Sequence, residues 1–69
     1  MYKNLDGKIR KFLTQHNFSC LEWNGKEVKV YDHNNQPFRK EEFKEGSTIR
    51  KLMVELETHL AGLGAFLFP

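Results

Sequence analysis

Phe18-Ser19-Cys20-Leu21-Glu22-Trp23-Asn24-Gly25-Lys26-Glu27-Val28-Lys29-Val30-Tyr31 is the stretch that decides the fold. Two runs rich in aromatic and β-branched residues flank Asn24-Gly25. That dipeptide is the best former of a type I′ turn, because both central residues need positive φ. A two-residue loop at Asn24-Gly25 sets Trp23 opposite Lys26, Leu21 opposite Val28 and Ser19 opposite Val30. Leu21, Trp23, Val28 and Val30 then share one side of a hairpin. The other side carries Phe18 with Tyr31, Cys20 with Lys29, and Glu22 with Glu27. The last pair is a flaw in this register, since like charges opposite each other destabilise.

Both flanks read as helices. Over residues 4–16, Leu5, Ile9, Phe12 and Leu13 fall at i, i+4, i+7 and i+8, one stripe of a 3.6-residue repeat. Asn4 or Asp6 suits the N-cap, and Asn17 suits a left-handed residue closing the helix. Beyond the hairpin, Ser47 or Thr48 caps a second helix with the stripe Ile49, Leu52, Met53, Leu56 and Leu60, and Glu57 on its solvent side. Gly62 and Gly64 are expected to end it, leaving Ala65-Phe66-Leu67-Phe68-Pro69 as an apolar tail. Between hairpin and helix, Asp32-His33-Asn34-Asn35-Gln36-Pro37 is turn chemistry. A tight turn at Asn34-Asn35 brings Phe38 level with Tyr31 and starts a short third strand over 36–40. Pro37 has no N–H to donate, so that strand belongs at an edge. Residues 39–46 read as a linker turn. The prediction is a single α+β domain over residues 1–69, ordered α-β-β-β-α.

Composition narrows the classes. The chain has 69 residues, 39% of them apolar, with six Phe, two Tyr and one Trp, which argues against disorder. A chain of this size supports about 3–5 kcal/mol of net stability without a staple. Cys20 is the only cysteine, so no internal disulfide is available, and a reducing compartment such as the cytoplasm is expected. One Cys and three scattered His give no metal-ligand spacing. No cofactor motif occurs. The N-terminus shows no charged-then-apolar signal pattern, and no run reaches the ~20 apolar residues of a membrane helix. Eleven Lys and Arg against nine Asp and Glu leave a net charge of +2, which permits an anionic partner without demanding one.

No catalytic residue is predicted. Asp32-His33 is the one pair that suggests a general base, but neighbours on an extended chain point to opposite sides. The expected function is non-enzymatic: an interaction module binding another macromolecule, such as an inhibitor or accessory protein of a phage or mobile element. Its expected partner-binding residues are Phe18, Lys29 and Tyr31 on the outward sheet face, Asp32, His33, Asn34 and Asn35 in the turn, and Phe66 and Phe68 in the tail. A homodimer through that tail is a further expectation. The alternative is a nucleic-acid binder using Lys8, Lys11, Lys26, Lys29, Arg39, Lys40, Arg50 and Lys51 against phosphates.

The order helix, hairpin, short third strand, helix resembles the double-stranded-RNA-binding type of domain. Residues Phe43-Lys44-Glu45-Gly46-Ser47-Thr48-Ile49-Arg50-Lys51-Leu52 are similar to the start of the last helix in small HicA-type toxin nucleases. Those toxins carry a histidine on the second strand after a Gly-Ser pair. Here that strand reads Lys26-Glu27-Val28-Lys29-Val30, so the resemblance implies topology and a nucleic-acid partner without that nuclease's histidine.

Overall fold

The structure is a computed structural model. It describes the backbone of residues 7–67 and the side chains of residues 7–63. Helix α1 (Gly7–Gln15) leads into strands β1 (Cys20–Trp23), β2 (Val28–Tyr31) and β3 (Pro37–Arg39). A single 3₁₀ turn (Lys40–Glu42) then precedes helix α2 (Thr48–Leu67). The α+β order is the predicted one. The three strands form one antiparallel sheet in the order β1-β2-β3, which leaves β3 and its Pro37 at an edge, as expected. Leu5 and the Asn4/Asp6 capping positions lie outside the described residues.

Both helices pack on one face of the sheet. Ile9, Phe12 and Leu13 from α1 meet Leu21, Trp23, Val28 and Val30 from the sheet and Met53, Leu56 and Leu60 from α2. All four predicted sheet residues are buried, with Leu21 and Val30 fully so. Phe18, Phe38, Phe43, Ile49 and Leu52 are half-buried around this core.

The register of the first hairpin differs from the prediction by two residues. Trp23 stands opposite Val28, Leu21 opposite Val30, Glu22 opposite Lys29 and Cys20 opposite Tyr31. The two-residue turn is centred on Gly25-Lys26, with Gly25 at φ 91°, as a turn with glycine at its first central position requires. Asn24 sits one place earlier and closes the loop. Its Oδ1 accepts hydrogen bonds from the backbone N–H of Lys26 at 2.9 Å and of Glu27 at 2.8 Å. This register removes the Glu22–Glu27 clash, because Glu22 now lies 3.6 Å from the Lys29 ammonium. Side chains alternate with a period of two, so a slip of two keeps the predicted buried face.

The second hairpin differs by one residue. Val30 faces Phe38 and Tyr31 faces Pro37. Asp32 explains the extra loop residue. Its carboxylate accepts from the N–H of Asn34 at 2.8 Å and of Gln36 at 2.9 Å, and Asn35 takes the left-handed φ of 64°. Three residues, His33 to Asn35, therefore make the loop. Phe38 joins the core face beside Val30, not the outer face beside Tyr31.

Phe18 is a second correction, since it does not lie on the outward sheet face. Asn17 closes α1 with φ 59°, as predicted. The Phe18 N–H bonds back to Leu13 O at 2.9 Å, and the Asn17 N–H to Thr14 O at 3.3 Å. This is the Schellman ending, in which the residue after the left-handed one folds onto the last turn. The Phe18 ring accordingly lies 6.0 Å from Phe12, 6.3 Å from Phe38 and 6.1 Å from Phe43. Cys20 pairs with Tyr31, not Lys29, and is buried.

Ser47 caps α2, its Oγ accepting from the N–H of Arg50 at 3.4 Å. Gly62 and Gly64 do not end the helix, which continues for 20 residues to Leu67. A glycine stops a helix when it turns left-handed, and among the described glycines only Gly25 and Gly46 have positive φ. The segment predicted as a tail is thus helical in its backbone as far as Leu67. Phe68 lies outside the described residues.

Candidate functional site

A groove runs between the two helices. Its floor is Phe12 from α1 with Leu52 and Leu56 from α2, and its rim is Lys8, Lys11, Gln15 and Glu55. The amphipathic periods of the two helices place these groups. Phe12 and Leu56 face the core, while half-buried Leu52 and the charged rim stand at its margin. The cavity holds about 220 Å³. A dry apolar cavity of about 150 Å³ admits benzene, so this one accommodates an aromatic or branched aliphatic side chain. The long stems of Lys8 and Lys11 can cover apolar surface while their charges stay in water.

The outer sheet face is polar and internally paired. Tyr31 Oη donates to Glu22 Oε1 at 3.3 Å, and Lys29 lies beside the same carboxylate. Arg39 approaches Glu27 at 3.8 Å and Lys40 approaches it at 3.9 Å. Lys29 and Tyr31 therefore share this face as predicted, with half-buried Asp32 and exposed His33, Asn34 and Asn35 at its end. Phe18 is elsewhere. The side chains of Phe66 and Phe68 lie outside the described residues.

The basic residues do not gather on one surface. Lys8 and Lys11 flank the interhelical groove, whereas Lys29 and Arg39 stand on the opposite side of the sheet. Lys26 is exposed in the first turn, and Lys51 is exposed on α2. Arg50 donates to the Phe43 carbonyl at 3.4 Å. Lys40 is held at 3.1 Å by Glu57.

Glu57, expected on the solvent side of α2, is instead nearly enclosed, with 13% of its side chain exposed. Its Oε2 accepts from the Val28 N–H at 3.0 Å as well as from the Lys40 ammonium. Antiparallel ladders bond at alternate residues. After Asp32–Gln36 and Val30–Phe38, Val28 would need a strand partner at residue 40, where the chain has turned into the 3₁₀ segment. Glu57 supplies the missing acceptor. The hydrogen bond to Glu57 raises the Lys40 pKa above its ordinary value, burial opposes this, and the charges of Glu57, Glu41 and Glu27 add to the rise. Glu41 is held below the usual carboxylate value, first by its backbone hydrogen bond and further by Lys40. Glu57 lies four residues after Met53 and three before Leu60, about 40° round the helix from Met53 and at the edge of the buried arc, and that position is the signal in the sequence.

Among the described residues, two buried nitrogens, His16 Nε2 and Trp23 Nε1, find no hydrogen-bond partner. The His16 ring lies 4.9 Å from Phe12, so packing accounts for its position. Among the described residues, no three His, Cys, Asp or Glu side chains are placed to hold a metal ion, and no helix is long and apolar enough to cross a membrane.

The fold and groove define a two-layer α+β domain with an apolar cleft between its helices. No protein-family model, no curated protein and no solved structure matches the chain.

Proposed function

We propose that this protein is a small non-enzymatic binding module that takes an apolar side chain of a protein partner into the α1/α2 groove. The observation that carries this reading is the composition of the groove, with Phe12, Leu52 and Leu56 beneath a charged rim. Helix-in-groove recognition uses this kind of surface, in which apolar anchors give affinity and the rim fixes orientation. A module of this size acts by covering part of a larger partner, which suits an inhibitor or accessory protein of a phage or mobile element. Its single cysteine supports a reducing, cytoplasmic setting.

The test is capture of partners from host extract by the immobilised chain, with and without nuclease, beside a Leu52→Arg variant. Leu52 is half-buried, so the variant is checked for folding by circular dichroism. Protein capture that survives nuclease and is lost with Leu52→Arg supports the groove. Capture abolished by nuclease, and falling steeply with salt, replaces this reading with nucleic-acid binding through residues such as Lys8 and Lys11.

A further inference from the structure

We infer that the groove is filled by the uncharged end of α2 from a second copy of this chain, in a dimer whose two α2 helices run antiparallel. This rests on the groove being the contact site and names what enters it.

The first support is continuity. Residues three and four apart share a side of a helix, so Leu52, Glu55, Leu56, His59, Gly62 and Leu63 form one seam. The α2 residues lining the groove extend from Leu52 to Leu56. With nine residues, α1 is about 13 Å long, against about 30 Å for the 20 residues of α2. Over the described residues the seam therefore outruns α1. His59 and Leu63 are half-buried and Gly62 is exposed. A Cβ built on Gly62 would meet nothing within 4 Å, which leaves room for a second helix backbone to approach.

The second support is the sequence of the end itself. Residues 60–69 read LAGLGAFLFP and contain no charged side chain. Phe66 lies ten residues beyond Leu56, about 15 Å further along the α2 backbone. A two-fold axis crossing α2 near residue 60 brings it to the groove of the second copy. It sets positions 53–56 of one copy opposite about 64–67 of the other, and a two-fold interface does so twice.

Charge is the third support. The last turn of α2 has no basic residue, so no side chain of that turn offsets the partial negative charge of its terminal carbonyls. The groove rim offers Lys8 and Lys11. Glu55 of each copy faces the uncharged stretch of the other, and the two Glu55 side chains stay apart.

Sedimentation of the full chain from about 5 μM to about 1 mM tests this. The expected result is a reversible dimer at about 50 mM salt. Phe66→Lys, which sets a cation against the lysine rim, should weaken it at least ten-fold. Lys11→Glu, on an exposed position, should weaken it about three-fold, with the difference vanishing near 0.5 M salt. A wild-type chain monomeric at about 1 mM, or a dimer that either substitution leaves unchanged, overturns the inference. A monomeric wild type whose Leu52→Arg variant still loses its captured partner overturns self-docking alone. A Leu52→Arg variant that loses neither partner nor dimer overturns the groove itself.

Discussion

The two hairpins of this sheet share β2 and differ in how their registers are fixed. In the first, glycine supplies the positive φ, Asn24 ties the loop, and four large side chains are buried on one face. In the second, Asp32 ties the loop, Asn35 takes the left-handed place, and only half-buried Phe38 reaches the core. A two-residue slip in the first hairpin leaves every side chain on its proper side. A one-residue slip in the second sends Phe38 to the opposite face. Burial in the first therefore fixes which face turns inward, while Asn24 and Gly25 choose between registers two apart; in the second, with one half-buried contact, the turn fixes both.

The largest test of that contrast is Trp23→Ala beside Phe38→Ala. Trp23 is 5% exposed, and its loss should cost about 3–5 kcal/mol, enough to unfold most of a domain this small. Phe38→Ala should cost about 1–2 kcal/mol, because its ring is only partly buried at the margin of the core. Urea unfolding followed by circular dichroism separates the two, and equal losses would end the claim that burial is unequal.

Glu57→Ala should come next, at about 1.5–3 kcal/mol, since it strips a charged acceptor from a buried N–H. Hydrogen exchange at the Val28 amide should accelerate while exchange at Val30, which has its strand partner, changes less. The same protection at Val28 in wild type and variant would show that Glu57 does not complete the ladder.

Smaller still, Asp32→Ala and Asn24→Ala each remove one side-chain oxygen that accepts from two backbone N–H groups and should cost about 1 kcal/mol. The comparison predicts different structural outcomes from similar energies. NMR contacts between Phe38 and Val30 should weaken in Asp32→Ala, while those between Leu21 and Val30 persist in Asn24→Ala.

The smallest effect is on pH dependence. The folded-state pKa of Lys40 is raised, principally by its hydrogen bond to Glu57, so its contribution is complete below the ordinary lysine value and declines as pH climbs through the folded-state value. Wild-type stability should fall relative to Lys40→Met above about pH 10.5. Thermal melts across that range would show parallel curves if the ammonium contributes nothing.

Much of this architecture was readable from residue order. The helical stripes and the buried face of the first hairpin follow from periodicity, and that face tolerates an error of two because side chains alternate. The mismatched Glu22–Glu27 pair was the visible sign that the register was wrong. Phe18 was harder, because alternation extends naturally into the strand. The Asn17 ending instead diverts it onto Phe12, a local hydrogen-bond pattern outranking a pattern of hydrophobicity. The loop length at Asp32–Gln36 turned on which backbone amides one carboxylate could reach, information that composition does not hold. The groove was not legible, since it depends on the spacing of two helices remote in sequence. In the sequence Lys8 and Lys11 stand out for their charge alone, without the apolar floor they flank.

The indole of Trp23 has a further consequence. It is the chain's sole tryptophan, enclosed in the apolar core, and no acceptor among the described residues matches its N–H. An indole shielded from solvent dipoles emits at the short-wavelength end of its range, and exposure shifts that emission to the red. The molecule thus carries a built-in optical gauge of its own integrity, readable on unlabelled protein. Because Trp23 and Val28 flank the first turn, the gauge responds when that hairpin opens.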